Sequence, residues 1–247
     1  MNFFSSFGKY LQLLYFSLGK PQSWKYFRKQ LIDEIALIGL DSLGIVMIIS
    51  VFMGAVLVIQ AGYNIENPLI PKYTIGYGVR ESLILEFSPT IVCLILAGKI
   101  GSSISSQIGS MRVTEQIDAL DIMGINSASH IILPKLIASL ISFPFLIIIS
   151  MMTGMLGGYG AAVIWNIVSA SDFIAGMHYY FYPFEIFYAV FKTIVFAFII
   201  VTVSAYWGYN VQGGALAVGR ASTKAVVYSS ISILLSNLIL TKMILGG

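Results

Sequence analysis

Long stretches without a charged residue alternate along this chain with short polar segments. The charge-free intervals are 42–65, 87–98, 136–171, 186–191 resumed at 193–219, and 225–241. A helix needs roughly 20 mostly apolar residues to cross a bilayer, so the second interval must extend past Glu86 or past Lys99. The pattern predicts five membrane-spanning helices, near 42–62, 83–105, 133–162, 186–208 and 224–244.

Composition agrees with this pattern, because 57% of the residues are hydrophobic, 10% are charged and the mean hydropathy is +0.88. A soluble domain of 247 residues cannot bury that much apolar surface. The predicted fold class is therefore an all-α integral membrane protein. The net charge of +3 comes from loop residues, and no basic patch with interleaved aromatic residues indicates nucleic-acid binding.

The N-terminal segment carries apolar residues at helical spacing, with polar residues off that stripe. The stripe consists of Phe3, Phe7, Leu11, Leu14 and Leu18, and the residues off it include Ser5, Ser6, Lys9 and Gln12. This pattern predicts an amphipathic helix lying in the headgroup region, although a partly disordered tail stays open as the alternative. No small-residue cleavage site follows, and Lys20-Pro21 stands where one is expected, so we expect this segment to be retained.

Basic residues predict the orientation, because cytoplasmic loops carry an excess of lysine and arginine. Ten of them define one side: Lys9, Lys20, Lys25, Arg28, Lys29, Lys99, Arg112, Lys135, Arg220 and Lys224. The other side has Lys72, Arg80 and Lys242, and residues 163–183 contain no lysine or arginine. We expect the N-terminus in the cytoplasm and the C-terminus on the opposite side of the membrane.

A polar segment between predicted spans two and three, residues 109–124, reads GSMRVTEQIDALDIMG. On a helical wheel, Val113, Ile117, Leu120 and Gly124 cluster on one edge, and Glu115, Asp118 and Asp121 cluster on another. The pattern predicts a short amphipathic helix over 113–124, with Thr114 as its N-cap and Gly124 as a left-handed stop. Periodicity alone leaves open an ordinary connector between two spans.

Several motifs in the chain point to one family. They are Glu86-Phe87-Ser88-Pro89, Ala97-Gly98-Lys99-Ile100-Gly101-Ser102, residues 109–120 with Met123-Gly124, Pro134-Lys135, Gly208-Tyr209-Asn210, and residues 218–223 and 226–229. Together they resemble the signature of the MlaE/YrbE family of ABC-transporter permeases. The resemblance covers most of the chain after the N-terminal helix, and the run M-R-x-T-E-Q-I-D-A-L is its most specific part. It divides the chain into an interfacial helix with a basic linker, 1–30, and a permease domain, 31–247.

The resemblance implies a homodimer that binds a pair of cytoplasmic ATPase subunits and moves phospholipid to or from a periplasmic MCE-domain protein. Within the family, the segment between spans two and three is a coupling helix seated on the ATPase. The residues expected to make that contact are Arg112, Glu115, Gln116, Asp118 and Leu120.

An ionisable residue toward the outer half of span two, Glu86, is the main candidate for lipid binding, because such groups are costly in a bilayer and usually face a cavity or a partner. The resemblance places this acidic residue at the lipid cavity, and Gln60 and Tyr73 are further candidates. Lys192 in span four has similar standing, and snorkelling to the interface stays open for it and for Glu86. Leu85, Ser88 and Gln107 depart from the family pattern, which carries arginine, glycine and an acidic residue there.

Other chemistries find little support in the sequence. Residues 214–222 echo a phosphate-binding loop, but Arg220 replaces the lysine and Ala221 the metal-binding hydroxyl, so we expect no ATP hydrolysis in this chain. His130 and His178 lack partners at ligand spacing, so neither a metal nor another cofactor is expected, and no catalytic residue is predicted. Cys93 has no second cysteine to pair with and is read as a packing residue.

Two functional classes stay open. One is a lipid-transporting permease, and the other is a membrane scaffold that docks a soluble partner through the 113–124 helix and transports nothing. A secondary transporter is less favoured, because five spans do not divide into inverted repeats. The small-residue patterns Ser50–Gly54 and Gly154–Gly158 allow close helix approach, either within the chain or at a dimer seam.

Overall fold

The computed structural model describes residues 3–19, 24–65 and 70–245, with side chains omitted for residues 3–6 and 245. The predicted positions of the Phe3, Ser5 and Ser6 side chains and the Lys20-Pro21 pair therefore lie outside the described residues. Helices and turns account for the described ranges, and no strand occurs within them. The predicted all-α fold is confirmed.

Within the described ranges, five helices are long and apolar enough to cross a membrane: Trp24–Asn64, Tyr73–Val113, Ser127–Ile164, Pro183–Tyr209 and Ala215–Ile244. Each contains one predicted span, so the number and order of the spans are confirmed. All five helices extend beyond the predicted spans, because polar and charged turns at the ends continue the helical hydrogen bonding. The resulting 38 to 41 residues of the first three helices exceed the roughly 20 residues that hydrocarbon requires.

In chain order the α-helices are α1 (Phe3–Ser17), α2 (Trp24–Ile35), α3 (Asp41–Asn64), α4 (Tyr73–Ser82), α5 (Val92–Leu96), α6 (Ser102–Val113), α7 (Gln116–Ile122), α8 (Ser127–Ile164), α9 (Ala170–His178), α10 (Pro183–Tyr209) and α11 (Ala215–Leu245). The π-helical segments Ala36–Leu40, Leu83–Ile91 and Ala97–Gly101 join α2 to α3, α4 to α5 and α5 to α6. Such segments occur frequently at functional sites.

The chain forms two compact units. The first consists of Met1–Asp41, Leu94–Phe143 and Val195–Gly247, and the second consists of Ser42–Cys93 and Pro144–Ile194. Each unit has a core of its own. In the second unit, Val58, Val79, Leu83 and Phe173 are almost completely buried together.

Helix α1 packs in the first unit through a face that the apolar stripe does not reveal. Leu13 and Ser17 are buried, and the Tyr10 hydroxyl donates to Thr202 Oγ1 at 2.8 Å. The predicted stripe residues Phe7, Leu11 and Leu18 are about half exposed. The chain is helical over Phe3–Ser17, so the alternative of a disordered tail is wrong there, and the exposed stripe stays available for lipid.

Glycines bring α3 and α8 into backbone contact within the second unit. A Cβ atom on Gly54 would lie 1.8 Å from the carbonyl oxygen of Gly154, and one on Gly157 would lie 2.2 Å from that of Val51. The Ser50 hydroxyl bonds to Val46 O on its own helix and to Ser150 Oγ on α8, both at 2.7 Å. The predicted small-residue patterns therefore serve packing within the chain.

Candidate functional site

An ion pair between two spans marks the second unit. Glu86 lies in the π-helical segment Leu83–Ile91, which also contains Pro89, and Lys192 lies in α10. The Lys192 ammonium donates to Glu86 Oε1 at 2.9 Å and to Leu85 O at 3.1 Å. Thr90 Oγ1 donates to Glu86 Oε2 at 3.0 Å. Both carboxylate oxygens therefore have hydrogen-bond partners from the protein.

The two partners of this pair differ in exposure. Lys192 is completely buried, whereas the Glu86 side chain is 42% exposed. Snorkelling of Lys192 to the interface is therefore wrong, because its ammonium ends on a carboxylate and a carbonyl inside the protein. Lys192 Nζ also lies 5.1 Å from the centre of the Tyr188 ring, which adds a cation–π contact. The carboxylate presents the accessible side of the pair.

The local sequence explains how Glu86 is presented. Proline has no backbone N–H and disrupts the α-helical hydrogen-bond ladder, and Pro89 lies in a segment wound as a π-helix. Extra residues in a π turn rotate the side chains that follow. Pro89 and the neighbouring Ser88 are buried, so the irregular backbone is enclosed by protein, as the bilayer requires.

The other two predicted lipid contacts lie elsewhere in this unit. Gln60 is exposed near the end of α3. Tyr73 begins α4, and its ring lies 4.9 Å from that of Tyr179. Thirteen residues of continuous helix separate Tyr73 from Glu86, which corresponds to about 20 Å along the axis. Tyr73 therefore belongs to an aromatic group at the start of its helix, and its lipid role stays a prediction.

That aromatic group surrounds a buried arginine whose role the sequence did not indicate. Arg80 is 2% exposed, and its guanidinium donates to the carbonyl oxygens of Met177, Tyr179 and Tyr180 at 2.8, 2.8 and 3.1 Å. Met177 lies in the last turn of α9 and Tyr179 and Tyr180 follow its end, where helical partners run out. Arg80 thus fixes the α9–α10 connection, and the aromatic run 179–182 stays exposed, as expected for an interfacial belt.

The predicted helix over 113–124 is broken near its start. Helix α6 ends at Val113, Glu115 adopts a left-handed conformation with φ 58°, and α7 covers Gln116–Ile122. Thr114 is not the N-cap of α7, because its hydroxyl donates to Ser110 O at the end of α6. Gly124 has φ +75°, so the predicted left-handed stop is confirmed.

The five predicted ATPase contacts of this segment divide into three groups. Arg112 and Asp118 pair with each other, with Nη1 and Oδ1 2.6 Å apart. Glu115 and Gln116 are exposed. Leu120 is half-buried and lines a cavity of about 430 Å³. Ile122, which the helical pattern of the sequence did not indicate, is 88% exposed at the end of a helix anchored by the buried Ile117.

The remaining sequence expectations concern metal and nucleotide sites. No group of three or more histidine, cysteine or acidic side chains able to hold a metal lies within the described ranges. Residues 215–222 form the first turns of α11, and the Ser222 hydroxyl donates to Val218 O within that helix. A phosphate-binding loop requires its Ser or Thr at the mouth of a strand–helix turn, so this segment does not fit one.

Apolar spans, an ion pair inside them with a buried ammonium and a half-exposed carboxylate, and a short charged helix between two spans are features of a polytopic membrane permease. The profile of the family described as Permease MlaE matches residues 31–243. The chain belongs to this family of ABC-transporter permease subunits, in which ATP hydrolysis resides in a separate subunit and the permease is not itself catalytic. Together with its apolar helices, this membership supports a multi-pass protein of the bacterial inner membrane.

Three relatives match most of the length of this chain. A probable ABC transporter permease protein of Rickettsia bellii is 38% identical over 86% of this chain and 82% of its own length. The intermembrane phospholipid transport system permease protein MlaE of Haemophilus influenzae is 30% identical over 100% of this chain and 95% of its own. The chloroplastic protein TRIGALACTOSYLDIACYLGLYCEROL 1 of Arabidopsis thaliana is 30% identical over 87% of this chain and 61% of its own.

Proposed function

We propose that this chain is the homodimeric permease of a transporter that moves phospholipid between the inner membrane and a periplasmic MCE-domain protein, driven by cytoplasmic ATPase subunits. The observation that carries the proposal is the Glu86–Lys192 pair, with its buried ammonium and half-exposed carboxylate. Charged groups within membrane spans are costly, and they commonly mark the path of a substrate or ion. The name of the Haemophilus influenzae relative, an intermembrane phospholipid transport system permease protein, supports phospholipid as the cargo.

The chemistry of the pair matches a phospholipid headgroup. A headgroup carries a phosphate and, in the common zwitterionic lipids, an amine. The half-exposed Glu86 carboxylate is complementary to the amine, and the completely buried Lys192 ammonium holds that carboxylate in place from inside the protein. A headgroup amine that reaches the carboxylate adds a charge-assisted contact on its exposed side.

The soluble ATPase is proposed to seat on α7. This helix offers exposed polar residues, Glu115 and Gln116, beside the exposed apolar side chain of Ile122. Interfaces commonly combine a buried apolar anchor with a polar rim. The Arg112–Asp118 pair is proposed to orient α7 for this contact, in place of the direct contact expected from the sequence.

The orientation follows the positive-inside rule. The N-terminus and the α6–α8 connection are placed in the cytoplasm, and the C-terminus and the α9–α10 connection in the periplasm. This arrangement puts α7 on the side of ATP and the Arg80-anchored aromatic segment on the side of the MCE-domain protein.

A photo-crosslinking experiment tests the lipid site. A photoreactive amino acid is introduced at position 86 and, as a control, at Leu238, which is 69% exposed in α11. In native membranes we expect position 86 to capture phospholipid in an ATP-dependent manner, while position 238 captures annular lipid with or without ATP. Equal, ATP-independent capture at both positions would favour the non-transporting scaffold.

A further inference from the structure

A buried lysine in the first unit joins three helices at one point. Lys135 of α8 is 5% exposed. Its ammonium donates to Glu34 Oε1 of α2 and, at 2.7 Å, to Gln107 Oε1 of α6. Because α2, α6 and α8 belong to the first three spanning helices, a single side chain ties the ends of three spans together.

Lys135 supplies the charge partner of the Glu34 carboxylate. The second carboxylate oxygen of Glu34 is buried and has no hydrogen-bond partner in the described part of the chain. A buried carboxylate is strongly disfavoured without a cation, so the position of Glu34, and with it the end of α2, depends on the ammonium. Gln107 supplies a neutral acceptor that fixes the same ammonium to α6.

This junction lies directly beside α7. The cavity of about 430 Å³ is bounded by Glu34, Gln107 and Lys135 on one side and by Gln116, Ala119 and Leu120 of α7 on another. Helix α7 is tied to α6 by the Arg112–Asp118 pair. A displacement of α7 therefore reaches α6 first, and the Lys135 junction connects α6 with α2 and α8.

We propose that Lys135 is a positioning residue, which with Glu34 and Gln107 makes the ends of three spans move as one body when α7 is displaced. This inference rests on the proposed function, because the displacement is attributed to the ATPase. Without the junction, α7 moves but the spans do not follow it, so ATP is hydrolysed with little lipid transported.

The test uses two double variants of the full permease in complex with its ATPase. Glu34→Gln with Lys135→Met removes both charges and leaves neither one orphaned. Glu34→Lys with Lys135→Glu reverses the pair, and the amide of Gln107 suits either polarity because it can donate as well as accept. Lys224→Met is the control, since Lys224 is an exposed lysine outside the junction.

In reconstituted vesicles we expect the neutral variant to keep ATP turnover within about twofold while lipid transported per ATP falls about tenfold, a typical coupling factor. The reversed pair should restore at least a third of the wild-type ratio. Parallel loss of turnover and transport in both double variants would show a merely structural role and overturn the proposal. If the neutral variant does not fold, the amount of lipid transported per ATP by the reversed-pair variant decides, and a ratio below a third of the wild-type value would overturn the proposal.

A second measurement does not depend on the ATPase. Hydrogen exchange of the permease alone should be about tenfold faster in α2 and α6 for the neutral variant, and unchanged for Lys224→Met. Unchanged exchange in these helices would overturn the positioning role. If the wild-type complex shows no ATP-driven transport, the proposed function fails, and the exchange measurement still decides whether Lys135 joins α2 to α6.

Discussion

Arg112 and Asp118 form an ion pair across the break between α6 and α7, with their charged atoms 2.6 Å apart. The side chains are 35% and 49% exposed, so solvent screens the pair and we expect it to contribute under about 1 kcal/mol to the free energy of unfolding. The pair nevertheless has a structural role, because it joins α7 to α6 across the break at Glu115.

Charge reversal separates the roles of two acidic residues in this segment. Glu115→Lys should leave the unfolding temperature of the permease unchanged and weaken ATPase binding, by about 2–5 kcal/mol if the carboxylate becomes buried on binding. Asp118→Lys should additionally accelerate hydrogen exchange in α7, since it removes the tie to Arg112. Affinity is measured by titrating ATPase onto immobilised permease, with Glu115→Gln as the neutral control. Full binding by Glu115→Lys would contradict the docking assignment.

The left-handed backbone of Glu115 makes a separate stability prediction. A non-glycine residue at φ 58° carries a steric penalty of about 1 kcal/mol, which glycine avoids. Glu115→Gly should therefore stabilise the permease slightly or leave it unchanged, while Glu115→Ala retains the penalty. Thermal unfolding in detergent compares the two variants. A lower melting temperature for the glycine variant than for the alanine variant would rule out strain at this position.

The unequal exposure of Glu86 and Lys192 predicts unequal effects of removing either one. Glu86→Gln leaves a completely buried ammonium without its carboxylate and should cost about 3–5 kcal/mol. Lys192→Met leaves a carboxylate that water or headgroups can reach, so it should cost less. The double variant should be close to wild type in stability and inactive in transport. Chemical unfolding and vesicle transport measure the two properties, and equal costs for the single variants would contradict the asymmetry.

Gly54 is predicted to tolerate no side chain. A Cβ atom there would meet the Gly154 carbonyl oxygen at 1.8 Å, so Gly54→Ala must separate α3 from α8 and should cost roughly 1–3 kcal/mol or more. Gly44 lies on the same helix with no atom within 4 Å of the added Cβ, and Gly44→Ala should be neutral or stabilising by up to about 1 kcal/mol. Thermal unfolding of both variants gives the comparison, and equal losses would contradict the close contact.

Alkaline pH should loosen α1. Burial raises the pKa of Tyr10, while its hydrogen bond to Thr202 acts in the opposite direction. The folded state therefore favours the neutral phenol, and its contribution is complete below the ordinary tyrosine pKa of about 10 and is lost as pH rises through the higher folded value. A cysteine introduced by Leu13→Cys, at a position buried in α1, should react faster with a thiol reagent in this alkaline pH range. Tyr10→Phe should remove the pH dependence.

The sequence predicted the five spans because the hydrocarbon of the bilayer excludes charged groups. Each span is therefore visible as an interval of the sequence with few or no charged residues. It also predicted Glu86 and the α6–α8 connection as sites. It left open whether Lys192 snorkels, because Lys192 is 106 residues from Glu86 and periodicity carries no information about pairs so far apart. The same reason hid the contacts of Arg80 with the α9–α10 connection and of Lys135 with α2 and α6.

The break before α7 could not be predicted for a different reason. Glycine and asparagine are the residues that usually adopt a left-handed backbone, but here a glutamate adopts it. The helical-wheel pattern therefore predicted one continuous helix through residues 113–116. Local preference favoured Thr114 as a cap. The ion pair and the burial of Ile117 determine where α7 begins, and both are tertiary contacts.

The serine contact between α3 and α8 has a consequence for biosynthesis. Ser50 and Ser150 are 100 residues apart, and a ribosome adds roughly 5–20 residues per second, so the first span waits roughly 5–20 s for the third to be synthesised. During that time its glycine-lined face has no partner helix. The bond from the Ser50 hydroxyl to Val46 O lies within α3, so the newly inserted span can satisfy this polar group by itself until α8 arrives.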